Sequence, residues 1–385
     1  MLERAATLTD TRAPIRTQAL GWLAGRRTLV VWWMGSRGIV LVAALWLHVL
    51  RVPRGYFGEA VFAHPFGALE AWDGLWYRQV AERGYLLIPG HQSDPAFFPF
   101  YSVLLKLVGA TGLPLGVAGL LLSNAFFLGA LFAFDAFGRR IVGSSLARRA
   151  TLLLAVFPMG YVCSMVYPAS LALLAFALVG LFSVEGRWLS CAAAAAVAAL
   201  ACPEGVLLFL PIAGCLATRW RYIGPQTRGR GIAAVLAAPA AAISFPVYLG
   251  WTLRNPLAWS DAQQAWGRSF RVDGAWHSLA GVGTHLGRSP WAARDIGLCI
   301  FTLLLLSLAR RVGAPLGWIL LGAMLVLLPL GSGSFESDAR FGLLALPAYW
   351  GLAALTSRRW TFRLIAVFSA ALLAAAVVTL PLISP

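Results

Sequence analysis

The stretch EAWDGLWYRQVAERGYLLIPGHQSDPAFFPFY, residues 70–101, mixes charges, aromatic rings and turn residues in a chain that otherwise consists of apolar runs. Its first half predicts a helix over about 70–83. In such a helix Glu70, Asp73 and Tyr77 share one face, because they are spaced at i, i+3 and i+7. The stretch therefore predicts one polar helix face within an apolar protein.

An apolar stripe runs beside this face. Trp72, Trp76 and Val80 follow one another at i, i+4 and i+8, and Gly84 should end the helix because glycine readily adopts the left-handed conformation found after helices. Tryptophan and tyrosine among polar neighbours are typical of the membrane–water boundary, where one side of a ring is dry and the other wet. We therefore expect Asp73 at the bilayer edge between aromatic walls, where a reaction on a lipid-borne substrate would need a base.

The composition is that of a membrane protein. Of the 385 residues, 59% are hydrophobic and 12% are charged, whereas soluble domains carry about twice that share of charge. The net charge of +16 could indicate nucleic acid, but orientation charge on cytoplasmic loops accounts for it, so we expect membrane lipids and no nucleic acid as partners. The cysteines and histidines show no CxxC or HExxH spacing, so no disulfide framework, metal site or cofactor is expected, although metal dependence stays open.

Apolar runs of about 20 residues predict membrane-crossing helices. Residues 1–28 are expected to form a cytoplasmic N-terminal arm, and 29–385 a single transmembrane domain. Within that domain, 51–114 is predicted as an extracytoplasmic loop with interfacial helices, and 253–290 as a second extracytoplasmic loop. The predicted spans, about eleven, are 29–50, 115–137, 150–166, 168–184, 188–202, 205–218, 231–252, 291–309, 314–331, 340–357 and 361–382. The expected fold is thus an all-α polytopic bundle, in which some short segments are half-spans lining a cavity.

The basic residues predict the orientation of this bundle. Residues 97–110 are too short to cross and contain Lys106, so we expect them to form an interfacial or re-entrant segment. If 97–110 does not cross the membrane, the cytoplasmic segments hold 20 of the 31 basic residues. One of them is Arg37, whose side chain would snorkel to the inner surface. The outer segments hold 11 basic and 11 acidic residues. The N-terminus is therefore expected in the cytoplasm, and Asp73 on the extracytoplasmic side of the cell inner membrane.

Carboxylates and arginines of the outer loops are the candidates for chemistry, because no serine-nucleophile or nucleotide-binding motif occurs in a suitable context. They are Glu70, Asp73, Glu82, Asp261, Arg268, Arg271, Glu336, Asp338 and Arg340. An arginine at a dry interface suits a lipid phosphate, since its fork makes bidentate bonds. A carboxylate there can take the proton of an attacking sugar hydroxyl. Elsewhere, Asp135 stands four residues before Arg139 and is expected to form an ordinary ion pair at a helix end.

Three separated motifs carry a resemblance to a known family. They are WDGLWYRQVAERGY (72–85) followed by AFFPFY (96–101), NPLAWSDAQQAWGR (255–268), and DARF (338–341) ahead of a span. Together they resemble the second mannosyltransferase of GPI-anchor assembly and its bacterial relatives. The resemblance implies a GT-C-like bundle and a glycosyltransferase. Such an enzyme takes a hexose, here mannose, from a polyprenyl-phosphate sugar outside the cytoplasm and transfers it, with inversion, to a glycolipid or glycan acceptor.

The resemblance also implies roles for single residues. Asp73 matches the loop aspartate of the family, which acts as the base or orients the acceptor. Arg340 matches a late arginine that would hold the donor phosphate. Trp72, Tyr77 and Arg268 would line the site.

Two departures from the family pattern keep alternatives open. The family usually shows Y-x-E-S where this chain has YPAS (167–170), and R-P-x-G where it has CPEG (202–205), so one acid and one arginine are missing. Glu204 either stands in for the lost acid or lies in a solvated turn. The alternatives to an enzyme are a lipid or sugar transporter, which predicts charges deep within spans and repeat symmetry, and a catalytically silent homologue with a scaffold role.

Overall fold

A computed structural model of the chain describes residues 15–50, 64–268, 271, 273–288, 290–332 and 338–379. These residues form helices joined by turns and contain no strand, so the prediction of an all-α fold is confirmed. Some predicted features lie outside the described residues: 1–14 of the N-terminal arm, 51–63 of the first loop, and Glu336. The rest of the arm and the first predicted span belong to one continuous helix, α1 (Ile15–Val49).

The remaining helices of the described part follow in chain order. They are α2 (Asp73–Arg83), α3 (Pro99–Gly109), α4 (Leu115–Ile141), α5 (Ser144–Ala155), α6 (Ala169–Glu185), α7 (Trp188–Ala201), α8 (Phe209–Arg219), α9 (Pro225–Leu253), α10 (Ala258–Ala265), α11 (Gly274–Ala280), α12 (Val282–Arg288), α13 (Pro290–Arg311), α14 (Leu316–Leu327), α15 (Asp338–Gly342), α16 (Leu346–Ala354) and α17 (Arg359–Val378). Proline opens α3, α9 and α13, where its missing N–H leaves no helical hydrogen bond unmade.

Several of these helices are apolar enough to lie in a membrane. Among the described residues, the helical segments that are both long enough and apolar enough to cross it are Gly25–Val49, Leu115–Ile141, Pro225–Leu253 and Arg359–Val378. Shorter apolar helices are Pro99–Gly109, Ala169–Glu185, Trp188–Ala201 and Leu316–Ser332. The protein is thus a multi-pass membrane protein, while the predicted number of about eleven crossings is not confirmed.

The predicted span 150–166 is not a continuous helix. After α5 the chain forms a 3-10 turn, Pro158–Cys163. The guanidinium of Arg37 in α1 donates to the carbonyl of Gly160 and to the hydroxyl of Ser164, each at 2.9 Å. Arg37 is only 3% exposed, so the expectation that it snorkels to the inner surface is wrong. Carbonyls that leave the helical pattern at this break need donors, and the arginine supplies them inside the protein.

Asp135 of α4 joins three helices. Arg139 donates to its carboxylate at 2.7 Å, which is the ion pair expected from the sequence. Arg148 of α5 donates to both oxygens of the same carboxylate at 3.0 and 3.1 Å. Arg148 also bonds the backbone carbonyl of Gly25 in α1. The pair is therefore part of a larger connection between α1, α4 and α5.

Close packing of small and aromatic residues positions α16 at the centre of the bundle. An added Cβ on Gly351 of α16 would overlap the backbone of Leu305 in α13. The preceding residue is Trp350, whose ring stacks on Phe134 of α4 with 5.8 Å between the ring centroids. Because α15 lies only a few residues before α16, this packing also restricts where Arg340 can lie.

Replacement of Asp135 tests its role as a structural joint. Asp135→Ala should lower the free energy of unfolding by about 3 kcal/mol, because it leaves a mostly buried arginine without its acid. Glu185→Ala is a matched control. Its partner Arg140 is 59% exposed, and loss of such a pair costs less than about 1 kcal/mol. Unfolding of the two variants in detergent measures both effects, and equal losses would contradict the structural role of Asp135.

Candidate active site

The helix predicted over 70–83 begins at Asp73. Trp72 precedes it with φ 58°, a left-handed value that is unfavourable for a bulky side chain and is typical of functional sites. Asp73 thereby occupies the first turn of α2, where backbone N–H groups have no partner inside the helix. The predicted end of the helix is confirmed, since Gly84 has φ +79°.

Glu70 does not share the helix face of Asp73 and Tyr77, which corrects the sequence prediction. It lies in a 3-10 turn, Gly67–Glu70, ahead of the helix. Its carboxylate forms an ion pair with Arg78. Trp72, whose backbone is left-handed, lies between this turn and the helix. It breaks the i, i+3 spacing on which the prediction depended.

Asp73 is held from two directions. Its backbone N–H donates to the hydroxyl of Tyr167 at 2.8 Å. Its carboxylate accepts a hydrogen bond from Arg340 at 2.5 Å. The side chains of Asp73 and Arg340 are only 24% and 17% exposed, so water screens their attraction weakly. The fold thus joins two residues that lie 267 positions apart in the chain.

Arg340 remains a cation in this setting. Its guanidinium lies over the rings of Tyr167 and Phe341, 5.7 and 5.5 Å from their centroids, as in cation–π contacts. Burial by itself lowers the pKa of Arg340, but the Asp73 carboxylate and the hydroxyls of Tyr167 and Tyr77 together outweigh burial and raise this pKa above its usual value. A charged guanidinium of this kind can bind a phosphate group.

A cavity of about 580 Å³ lies beside this ion pair. Its volume is within the range of small-molecule sites, ~300–1,000 Å³. All six residues singled out from the sequence line it, namely Trp72, Asp73, Tyr77, Glu204, Arg268 and Arg340. They come from four separate parts of the chain. The structure brings these side chains around one space, and their chemical roles stay predictions.

Glu204 reaches the cavity through a 3-10 turn, Pro203–Leu208, that follows α7. The next residue is Gly205, where an added Cβ would overlap the backbone of Ala198 in α7. Only glycine therefore allows the turn to lie this close to the helix. The half-buried Glu204 side chain consequently lies in the cavity wall.

Tyr77 is buried against other rings of the site. Its ring contacts Phe97 and Tyr101 edge-on, at centroid distances of 5.3 and 5.6 Å. Burial, and secondly the nearby Asp73 carboxylate, raise the pKa of Tyr77 well above its ordinary value. Its hydroxyl is therefore neutral over the whole physiological range.

Other loop charges considered from the sequence do not join the cavity. Asp261 is exposed and accepts a hydrogen bond from Asn255 at 2.8 Å. Arg271 pairs with Asp273 at 3.0 Å on the surface, and Glu82 is exposed as well. These described side chains are not among those that line the cavity.

Sequence reasoning missed part of the cavity wall. The missed side chains include Tyr167, Trp76, Phe97, Trp266, Gln79, Gln92 and Gln263. Most of them belong to motifs that carried the family resemblance, so a signal was present. Membership in a motif, however, does not distinguish residues that face the cavity from residues that pack behind its wall.

Within the described ranges, no group of three or more His, Cys, Asp or Glu side chains is arranged to hold a metal ion. This finding does not test whether the reaction needs a metal. It does mean that the described carboxylates of the cavity, Asp73 and Glu204, are not part of a larger cluster of such ligands.

Comparison with solved structures identifies the fold. The chain matches the crystal structure of ArnT from Cupriavidus metallidurans bound to undecaprenyl phosphate, with a TM-score of 0.53 and 17% identity. The match covers 93% of this chain and 64% of that one, so the chain spans less than two thirds of the length of ArnT. The described part of the chain therefore has a GT-C-like fold, as the sequence predicted.

A second comparison is weaker. The oligosaccharyltransferase of Archaeoglobus fulgidus in its apo form matches with a TM-score of 0.47 and 12% identity, over 89% of this chain and 56% of that one. A TM-score below 0.5 does not by itself establish a shared fold. No family model and no curated protein matches the chain. The resemblance to the mannosyltransferase of GPI-anchor assembly is therefore not confirmed.

A double-mutant cycle tests the central ion pair without any assay of activity. Asp73→Asn and Arg340→Met should each lower the free energy of unfolding. The double variant should lose less than the sum of the two single losses, and the difference, the coupling free energy, should be about 1–2 kcal/mol. Asp261→Asn combined with Arg340→Met is the control and should be additive. Additive behaviour of the first pair in unfolding measurements would show that its contact contributes nothing.

Proposed function

We propose that the protein is a membrane glycosyltransferase that transfers a hexose from a polyprenyl-phosphate sugar to a glycolipid or glycan acceptor. The observation that carries this proposal is the contact between Asp73 and Arg340 beside an aromatic-walled cavity. The fold shared with ArnT, whose structure holds undecaprenyl phosphate, supports a lipid-phosphate donor. Mannose is the hexose that the sequence motifs favour.

Asp73 acts as the base in this proposal. The acceptor hydroxyl attacks the anomeric carbon of the donor sugar, and the new C–O bond forms as the bond to the phosphate oxygen breaks, with inversion. Asp73 takes the hydroxyl proton, and the leaving group departs as polyprenyl phosphate. A positioned base contributes about 10²–10⁴ to the rate of such a reaction.

Arg340 binds the phosphate of the donor. A guanidinium makes bidentate bonds to phosphate oxygens, and it stabilises charge that develops on the leaving group where water is excluded. Its partner in the structure is the Asp73 carboxylate. A phosphate that takes over this guanidinium would release Asp73 to act as the base. Arg268, which lines the same cavity, adds a second cation for the phosphate.

The other cavity residues shape the site around this pair. Glu204 supplies the carboxylate that the family pattern has near Tyr167, and its position in the cavity wall supports this role over a solvated turn. Trp72 and Tyr77 line the cavity together with Asp73, and such rings favour a position of the base close to the bilayer edge.

The site faces the extracytoplasmic side of the cell inner membrane, and the N-terminus lies in the cytoplasm. Arginine pairs at helix ends support this orientation: α13 ends with Arg310 and Arg311, and Arg358 and Arg359 open α17. The positive-inside rule assigns such pairs to the cytoplasm.

The transporter alternative predicted charges deep within the spans. Arg37 is such a residue in α1, but its guanidinium donates to the segment Ala155–Ser164 of the same bundle. It is also not among the side chains that line the cavity. An arginine whose hydrogen bonds are used to hold backbone is better explained as a structural element than as part of a substrate path, which favours the enzyme.

Replacement of Asp73 tests the proposed chemistry. Asp73→Asn should lower mannosyl transfer from polyprenyl-phospho-mannose by about 10²–10⁴, because the amide cannot accept the proton. The assay measures radiolabel transferred to endogenous acceptors in membranes. Asp273→Asn, at an exposed acid outside the cavity, is the control and should keep wild-type activity. A wild-type rate in Asp73→Asn would remove this residue from the mechanism, and an inactive wild-type protein would favour the silent homologue.

A further inference from the structure

A wall of three aromatic rings forms part of the cavity. Trp76 and Phe97 stack with ring centroids 5.8 Å apart and an interplanar angle of 10°. Trp266 meets both of them edge-on, at 5.6 and 5.8 Å. The two tryptophans are half-buried and both line the cavity, so part of each indole is open to a ligand.

Three amide side chains, Gln79, Gln92 and Gln263, line the cavity together with these rings. Gln263 donates to the backbone carbonyl of Ala96 at 3.2 Å, and Gln79 donates to the carboxylate of Asp94 at 3.2 Å. An amide has two N–H donors and one carbonyl acceptor, so each of these bonds uses only part of its capacity. The bonds hold the amides in place and leave polar groups for a ligand.

We propose that these rings and amides form the acceptor subsite, and that the acceptor presents a neutral hexopyranose ring to it. This inference rests on the proposed function, because Asp73 supplies the base. A hexopyranose has an apolar face of C–H groups and a rim of hydroxyls. The face stacks on the indoles, and the hydroxyls bond the amides, as in sites that combine an apolar wall with a few polar groups.

The spacing along α2 brings such a sugar to the base. Trp76 follows Asp73 by three residues, so the two side chains lie on one side of the helix, separated by about 5 Å along its axis. A sugar ring that stacks on Trp76 therefore has an edge hydroxyl within reach of the Asp73 carboxylate. Arg340 contacts that carboxylate in the structure, so a donor phosphate that takes over its guanidinium would lie at the same point.

An isoprenoid chain would fit this wall less well. It could pack on the rings, but it would cover the amides without replacing their hydrogen bonds to water, which costs free energy. A charged head group would need an opposite charge, whereas the wall itself consists of indoles, a phenyl ring and amides. The side-chain chemistry thus favours a neutral polyol with an apolar face.

Saturation-transfer NMR on the protein in lipid nanodiscs tests the subsite with soluble probes, methyl α-mannopyranoside and methyl α-glucopyranoside. Saturation should pass to the ring C–H protons of at least one hexoside in the wild-type protein. Trp266→Leu and Gln263→Ala should weaken its binding by about tenfold, since a lost ring stack or hydrogen bond has an effect of that order. Trp266→Phe should keep most of it. The control Trp276→Leu, at a tryptophan that is 71% exposed and does not line the cavity, should bind as the wild type does.

Farnesyl phosphate serves as an isoprenoid probe in the same measurement. Three results would overturn the inference: no saturation of either hexoside in the wild type, unchanged hexoside binding in a folded Trp266→Leu variant, or a Trp266→Leu variant that loses farnesyl phosphate binding instead of hexoside binding. Thermal unfolding checks that each variant is folded. The proposed function is judged separately by transfer from polyprenyl-phospho-mannose. Transfer without hexoside binding contradicts the subsite alone, and hexoside binding without transfer contradicts the proposed function alone.

Discussion

The ion pair between Asp73 and Arg340 is the interaction on which the geometry of the site depends. It connects the first turn of α2 to the short helix α15, so it closes a loop of 267 positions in the chain. Because both side chains are mostly shielded from water, their attraction is screened little. The pair can exist only while the bundle keeps α15 against α2. Global packing and local chemistry are therefore linked at this one contact.

The cavity exists because several helices are broken where they meet. A 3-10 turn follows α5, another follows α7, and α15 is separated from α16 by a short turn. Irregular backbone at membrane depth is tolerated only where protein or a cavity can satisfy its polar groups. At the break after α5, Arg37 supplies hydrogen bonds to the carbonyl of Gly160 and the hydroxyl of Ser164. The same breaks bring Tyr167 and Glu204 to the cavity wall.

Two kinds of surface meet at Asp73, and together they suit the proposed transfer between two chemically different substrates. Toward Arg340 the cavity offers a cation held over aromatic rings, which suits a phosphate. Toward Trp76 and Trp266 it offers rings and amides, which suit a neutral sugar. The left-handed backbone at Trp72, a conformation that costs about 1–3 kcal/mol, fixes Asp73, the proposed base, at the junction of these surfaces.

The sequence by itself determined the all-α membrane fold, since the apolar content excludes a soluble core and apolar runs of about 20 residues predict membrane-crossing helices. It also singled out six of the side chains that line the cavity: Asp73 because its neighbours are tryptophans, and the others mainly through the motifs that were compared with the family pattern. It was wrong about Glu70 and Arg37: helical periodicity assumes a regular backbone, and the left-handed residue and the broken span depart from it. The pairing of Asp73 with Arg340, and the meeting of Trp266 with Trp76, were decided only by the tertiary structure, because contacts between distant segments depend on how whole helices pack and not on local spacing.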